Sequence, residues 1–165
     1  MKTFWLVIGA ILLPLIQVGI INRVGPWHPD LTLLLLTIGI VSFPRRELFL
    51  VAGMLALMAD LLSQLSFGVV SVSLLTAALL LRLTNETFFA QRSWPSILVV
   101  ALLLPIIFHL LVYIFNELYV YAALDSVPLG SLRSRILNLT VPVTIINGLV
   151  IFLTLLVRPY LLIPR

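Results

Sequence analysis

The sequence contains no cysteine, which excludes a disulfide, a thiolate nucleophile and a cysteine metal site. It has only two histidines, His28 and His109, and their wide separation argues against a histidine-rich metal centre. Acidic residues are also scarce, with 6 Asp and Glu against 10 Lys and Arg. The basic residues stand singly or in pairs between apolar runs, which is typical of membrane topology signals and not of a nucleic-acid surface.

Motifs of soluble enzymes are absent from the sequence as well. It holds no Walker motif, no GxSxG, no HExxH and no Rossmann fingerprint. We therefore predict a non-enzymatic protein without a cofactor or a metal. A membrane enzyme that uses Asp60 and His109 remains a weaker alternative at this point.

Apolar residues make up 62% of the chain, and the mean hydropathy is +1.23. Such a composition predicts a polytopic membrane protein. We expect an all-α fold with about six transmembrane helices in one transmembrane domain, residues 1–165. The expected spans are approximately 3–22, 30–44, 47–63, 67–82, 94–117 and 136–157. The first run could also be a signal peptide, but its length, Pro14 and Gln17 favour an uncleaved span.

The second and third runs are short for full crossings, so they are either thin spans or a re-entrant hairpin. Basic residues favour six spans with both termini in the cytoplasm, because the inner side then holds most of them. The inner set is Lys2, Arg45, Arg46, Arg82, Arg92, Arg158 and Arg165, and the outer set is Arg23, Arg133 and Arg135.

The stretch from Glu47 to Ser73 carries the main candidate surface. On helical spacing Gly53, Ala56 and Asp60 share one face, and small residues on a face allow a second helix to approach closely in lipid. The helix then breaks and restarts at Phe67-Gly68. This face is either a docking surface for a partner or part of the intramolecular core, and Asp60 could equally mark the membrane boundary.

Other polar residues are candidates for weaker roles. His109, Glu117 and Asn147 lie in or beside apolar runs, and Asp60 with His109 and Glu117 could form a proton or cation site. The pair Arg45 and Arg46 either fixes topology and contacts anionic lipid or docks a cytoplasmic partner.

The order of these features resembles the rod shape-determining protein MreD family of bacteria. The similarity rests on the Pro29-Asp30 pair before a Leu-rich run, the turn Pro44-Arg45-Arg46, the helix end Asp60-Leu61, and Phe67-Gly68 at the next helix start. It covers the whole chain in layout and is most specific between Pro29 and Ser73.

The resemblance implies a scaffold in the bacterial cytoplasmic (inner) membrane that supports peptidoglycan synthesis and cell shape. Its implied partners are a single-span MreC-like protein, a class B penicillin-binding transpeptidase, a SEDS glycosyltransferase and the MreB filament. The implied fold is similar to the S component of energy-coupling-factor transporters. A substrate-binding subunit of a small-molecule (vitamin) transporter is therefore the alternative, with a pocket expected near Asp60, Glu117 and the Tyr119–Tyr121 loop.

Overall fold

A computed structural model describes residues 2–19, 28–88, 94–122, 129 and 131–161. The described residues form helices joined by short turns, which confirms the all-α prediction. The helices are α1 (Lys2–Gly19), α2 (Leu31–Ser42), α3 (Arg45–Leu62), α4 (Val69–Phe88), α5 (Trp94–Tyr121), α6 (Leu132–Arg135) and α7 (Val141–Leu161). A π-helical turn, Ile136–Thr140, joins α6 to α7.

Three helical segments of the described chain are long and apolar enough to cross a membrane: Val69–Thr87, Pro95–Tyr121 and Leu132–Leu156. Val7–Gly19 and Leu31–Ser42 are apolar but shorter. The 12 residues of α2 extend only about 18 Å at about 1.5 Å per residue, against a hydrocarbon core of about 30 Å. The protein is therefore an α-helical membrane protein with helices of unequal length.

Helix α2 lies at the centre of the fold, in contact with α1, α3, α4, α5 and α7. Eight of its 12 residues are buried, and Leu36 and Ile40 have no exposed surface. A helix that is apolar on all sides belongs in a protein interior, because every face needs an apolar neighbour.

Helices α3 and α4 are in contact, and both bury small residues. Ala52 and Ala56 on α3, and Ala77 and Ala78 on α4, are each at most 1% exposed. The Ser71 hydroxyl donates to the Ala56 carbonyl oxygen at 3.1 Å, which ties the two backbones at this close approach.

Helices α5 and α7 approach closely at one level and separate at another. A Cβ on Gly148 would lie 2.8 Å from Leu102 Cδ2, so any larger residue there would force the Leu102 side chain to move. Apolar side chains spaced four residues apart stay exposed along both helices, which is typical of a surface that faces lipid. They are Leu102, Ile106, Leu110 and Ile114 on α5, and Val141, Ile145 and Leu149 on α7.

Candidate functional site

Asp60 joins the end of α3 to the start of α4. The residue is 3% exposed, and its carboxylate accepts hydrogen bonds from the backbone N–H groups of Gly68 and Val70, the latter at 3.1 Å. These groups belong to the first turn of α4, where N–H groups lack partners within the helix and favour a negative charge. The structure thus gives Asp60 a helix-capping contact, which we call the Asp60 joint.

Gly68 makes the tight turn at this joint possible. Its φ is +100°, a conformation that residues with a Cβ rarely adopt. The Tyr119 hydroxyl donates to the Phe67 carbonyl oxygen at 3.4 Å, so the last turns of α5 reach the joint. Phe67 itself stays exposed.

The candidate face Gly53-Ala56-Asp60 divides between the interior and the surface. Ala56 and Asp60 are buried against α4, whereas Gly53 is partly exposed and has no atom within 4 Å of a Cβ position. An exposed stripe of α3 continues from Gly53 at four-residue spacing: Phe49, Gly53, Leu57 and Leu61. We call it the α3 stripe.

The two arginines of the turn before α3 have different contacts. Arg45 donates from Nε to Glu86 Oε1 at 3.2 Å and also forms an ion pair with Oε2, and this interaction raises the pKa of Arg45 above its ordinary value. Arg46 is exposed. Arg82 binds the same Glu86 at 2.7 Å and donates to the carbonyl oxygens of Ile40 and Phe43. The end of α2, the start of α3 and the end of α4 are thereby held together.

Asp30 and Asn147 form a second polar connection, between α2 and α7. The Asp30 backbone N–H donates to Asn147 Oδ1 at 2.9 Å, and Asn147 Nδ2 donates to the Asp30 carbonyl oxygen at 3.4 Å. Gln17 of α1 accepts from the Leu31 N–H at 3.0 Å. Asn147 is 1% exposed and lies near the middle of the helical run Leu132–Leu161, so α2 begins beside the middle of that run.

The Asp30 side chain caps α2 by accepting from the Leu33 N–H at 3.0 Å. The sequence prediction did not include Asp30 or Gln17 among the site residues. A Pro-Asp pair before a leucine run is nevertheless a recognisable helix start.

His109 and Glu117 lie in different surroundings, although both belong to α5. Glu117 is exposed, whereas His109 is 6% exposed and borders a cavity of about 320 Å³ between α5, α6 and α7. The other polar residues of the lining are Arg135, Thr140 and Thr144. This arrangement differs from the predicted pocket near Asp60 and Glu117, because neither residue borders the cavity.

A smaller cavity of about 200 Å³ lies where α1, α2 and the end of α3 meet. Gln17, Asp30 and Ser63 border it. The described residues contain no group of three His, Cys, Asp or Glu side chains that could hold a metal ion.

No family model, curated protein or solved structure matches this chain.

Proposed function

We propose that this protein is a non-enzymatic scaffold subunit of the bacterial elongation (rod) complex, which binds a single-span MreC-like protein and supports peptidoglycan synthesis and cell shape. One observation carries the proposal beyond the resemblance. The residues of the resemblance occupy the joints of the fold: Asp30 caps α2, Arg45 links α3 to α4, and Asp60 caps α4. Their polar groups serve to hold helices in place, as a scaffold requires.

The α3 stripe is the surface that we assign to the single-span partner. In lipid, helices associate through close van der Waals packing at small residues, and the open space over Gly53 can receive a side chain of a second helix. Ala56 and Asp60 are not available to the partner, because they pack against α4. Further partners of the complex are the transpeptidase, the glycosyltransferase and the MreB filament. The exposed Arg46 is a candidate contact on the cytoplasmic side.

Gly53→Leu tests the docking surface. Gly9→Leu on α1 is the matched control, since Gly9 also has no atom within 4 Å of a Cβ position. The tagged variants are purified from mild detergent with a co-expressed MreC-like protein. We expect recovery of the partner to fall at least about tenfold with Gly53→Leu and to persist with Gly9→Leu. Equal recovery with both variants would reject the α3 stripe, and no recovery with the unmodified chain would reject the scaffold proposal.

We also propose six crossings with both termini in the cytoplasm, as the distribution of basic residues favours. The joint contacts of Arg45 and Arg82 with Glu86 are consistent with it, because they place residues from three helix ends together. The natural lack of cysteine makes the test simple. Arg46→Cys and Tyr121→Cys, both at exposed positions, are expected to react with an impermeant maleimide from opposite sides of the membrane. Labelling from the same side would refute this topology.

A substrate-binding subunit of a small-molecule transporter is the second candidate function. The cavity beside His109 favours it, since about 320 Å³ is enough for a small ligand. This alternative predicts that an ATPase pair, and no MreC-like protein, copurifies with the tagged chain.

A further inference from the structure

The cavity between α5, α6 and α7 is lined by several residues that carry buried polar atoms without a hydrogen-bond partner. Its volume of about 320 Å³ corresponds to about ten groups the size of a water molecule at about 30 Å³ each. Four of its lining residues have a buried side-chain N or O atom without a hydrogen-bond partner among the described residues: His109 Nδ1, Arg135 Nε, Thr140 Oγ1 and Thr144 Oγ1.

Other threonines of the same molecule do have hydrogen-bond partners for their hydroxyls. The hydroxyls of Thr37, Thr84, Thr87 and Thr154 each donate to the carbonyl oxygen four residues earlier, at 2.7–2.9 Å. A threonine in a helix can form its side-chain hydrogen bond in this way. Thr140 and Thr144 do not, although Thr140 is only 4% exposed. They flank the junction of the π-helical turn with α7, and such turns are frequent at functional sites.

Arg135 supplies a positive charge to this group. It is partly buried and forms no ion pair with any described residue. His109 lines the same cavity as Arg135, and its Nδ1 has no hydrogen-bond partner among the described residues. A guanidinium and neighbouring donors without an acceptor are suited to an oxyanion.

The rim of the cavity lies on the surface that faces lipid. Ile106 and Leu110 on one side, and Val141 and Ile145 on the other, border the cavity and are 38–52% exposed. The close contact of Gly148 with Leu102 closes the gap between α5 and α7 one to two turns away. A ligand can therefore extend an apolar chain from the cavity into the bilayer.

We propose that this cavity binds a membrane lipid with an oxyanion headgroup, whose phosphate or carboxylate pairs with Arg135 and accepts hydrogen bonds from Thr140 and Thr144. The volume admits the headgroup and the first part of a chain, while the rest of the chain lies between α5 and α7 in the bilayer. The polar atoms lie just below an apolar surface, so binding requires rotation of the Arg135 and threonine side chains. Rotamer changes of this kind are common on binding. The site is independent of the proposed docking surface on α3.

The test uses the full chain, delipidated in mild detergent and titrated with lipid in native mass spectrometry. The probes are phosphatidylglycerol, phosphatidylcholine and inorganic phosphate. Arg135→Gln removes the charge, and Leu110→Trp fills the cavity without a change of charge. Arg133→Gln is the matched control, because Arg133 lies two residues away and is exposed.

We expect phosphatidylglycerol to bind more tightly than phosphatidylcholine, and both Arg135→Gln and Leu110→Trp to weaken it by at least about tenfold, since charge-assisted hydrogen bonds are lost or blocked. Arg133→Gln should bind as the unmodified chain does. Equal weakening by Arg133→Gln would indicate a nonspecific basic surface and overturn the proposal. Inorganic phosphate that binds as tightly as the lipid would overturn the assignment to a lipid.

Two further measurements apply if Arg135→Gln fails to fold. The double substitution Thr140→Val with Thr144→Val should still lower the affinity for phosphatidylglycerol, since the hydroxyl donors are gone. Asp125 lies outside the described residues, in the sequence between α5 and α6, and is the acidic residue nearest to Arg135 in the sequence. If Asp125→Asn destabilised the delipidated protein and phosphatidylglycerol bound with no dependence on Leu110, the partner of Arg135 would be Asp125 and the proposal would be wrong.

Discussion

The two halves of this molecule differ in the hydrogen bonding of several of their polar side chains. Around α2, α3 and α4, Asp60, Arg82 and Asp30 each have defined hydrogen-bond partners at a helix end. Around α5, α6 and α7, Arg135 and Thr140 carry buried polar atoms that have no partner among the described residues and border a cavity. In the first half these three side chains bind groups of the chain itself, whereas in the second half we assign the unpaired groups of the cavity to a lipid.

This difference has an energetic meaning. A buried polar group costs about 1–3 kcal/mol when its partner is missing, so a fold keeps such groups where something else satisfies them. We therefore expect that removing a polar side chain with a partner destabilises the protein, whereas removing the unpaired hydroxyls of Thr140 and Thr144 is nearly neutral when no ligand is present.

The largest effect is expected at the Asp60 joint. Asp60→Ala leaves the N–H groups of Gly68 and Val70 without their acceptor, which should lower the free energy of unfolding by about 4 kcal/mol. An SDS unfolding titration measures this change. Leu61→Ala is the control, because Leu61 is exposed. A loss below about 1 kcal/mol would show that the joint does not stabilise the fold.

Arg82 and Arg45 both bind the Glu86 carboxylate, so the stability effects of their substitutions can be compared. Arg82→Gln removes the contacts to the Ile40 and Phe43 carbonyl oxygens and should destabilise the protein by about 3 kcal/mol. Arg45→Gln should have no measurable effect, because Arg45 is exposed and solvent screens its ion pair. Thermal unfolding of both variants in detergent checks the order, and a larger loss with Arg45→Gln would reverse the assignment.

Substitution of Asn147 should lower the stability less than substitution of Arg82, but more than substitution of a surface asparagine. Asn147→Ala removes both hydrogen bonds to the Asp30 backbone and should cost about 2 kcal/mol. Asn138→Ala is the matched control on the same helical run, since Asn138 is exposed and bonds only to Ser134 Oγ. Equal unfolding temperatures for the two variants would argue against a connection between α2 and α7.

The sequence predicted the helical class because long apolar runs between basic residues have few other solutions in a membrane. It also identified Asp60 and Asn147 as residues of interest, since polar groups in apolar runs need partners. It could not assign those partners, because Gly68 lies eight residues from Asp60 and Asp30 lies 117 residues from Asn147.

The sequence did not predict the cavity between α5, α6 and α7, for a different reason. The π-helical turn at Ile136–Thr140 changes the rotation of α6 relative to α7. Ordinary helical spacing therefore does not place Arg135, Thr140 and Thr144 on one wall. The central position of α2 was also not predicted, since a short apolar run is equally compatible with a thin span or a re-entrant hairpin.

The most direct test of the contrast between the two halves is the stability of the Thr140→Val and Thr144→Val double variant, measured with and without phosphatidylglycerol. Without lipid, the account predicts an unfolding temperature equal to or above that of the unmodified protein, because two unpaired hydroxyls are replaced by apolar groups of similar shape. With lipid, the variant should gain less stability than the unmodified protein. A variant that is destabilised equally in both conditions would show that the hydroxyls are structural and would contradict the account.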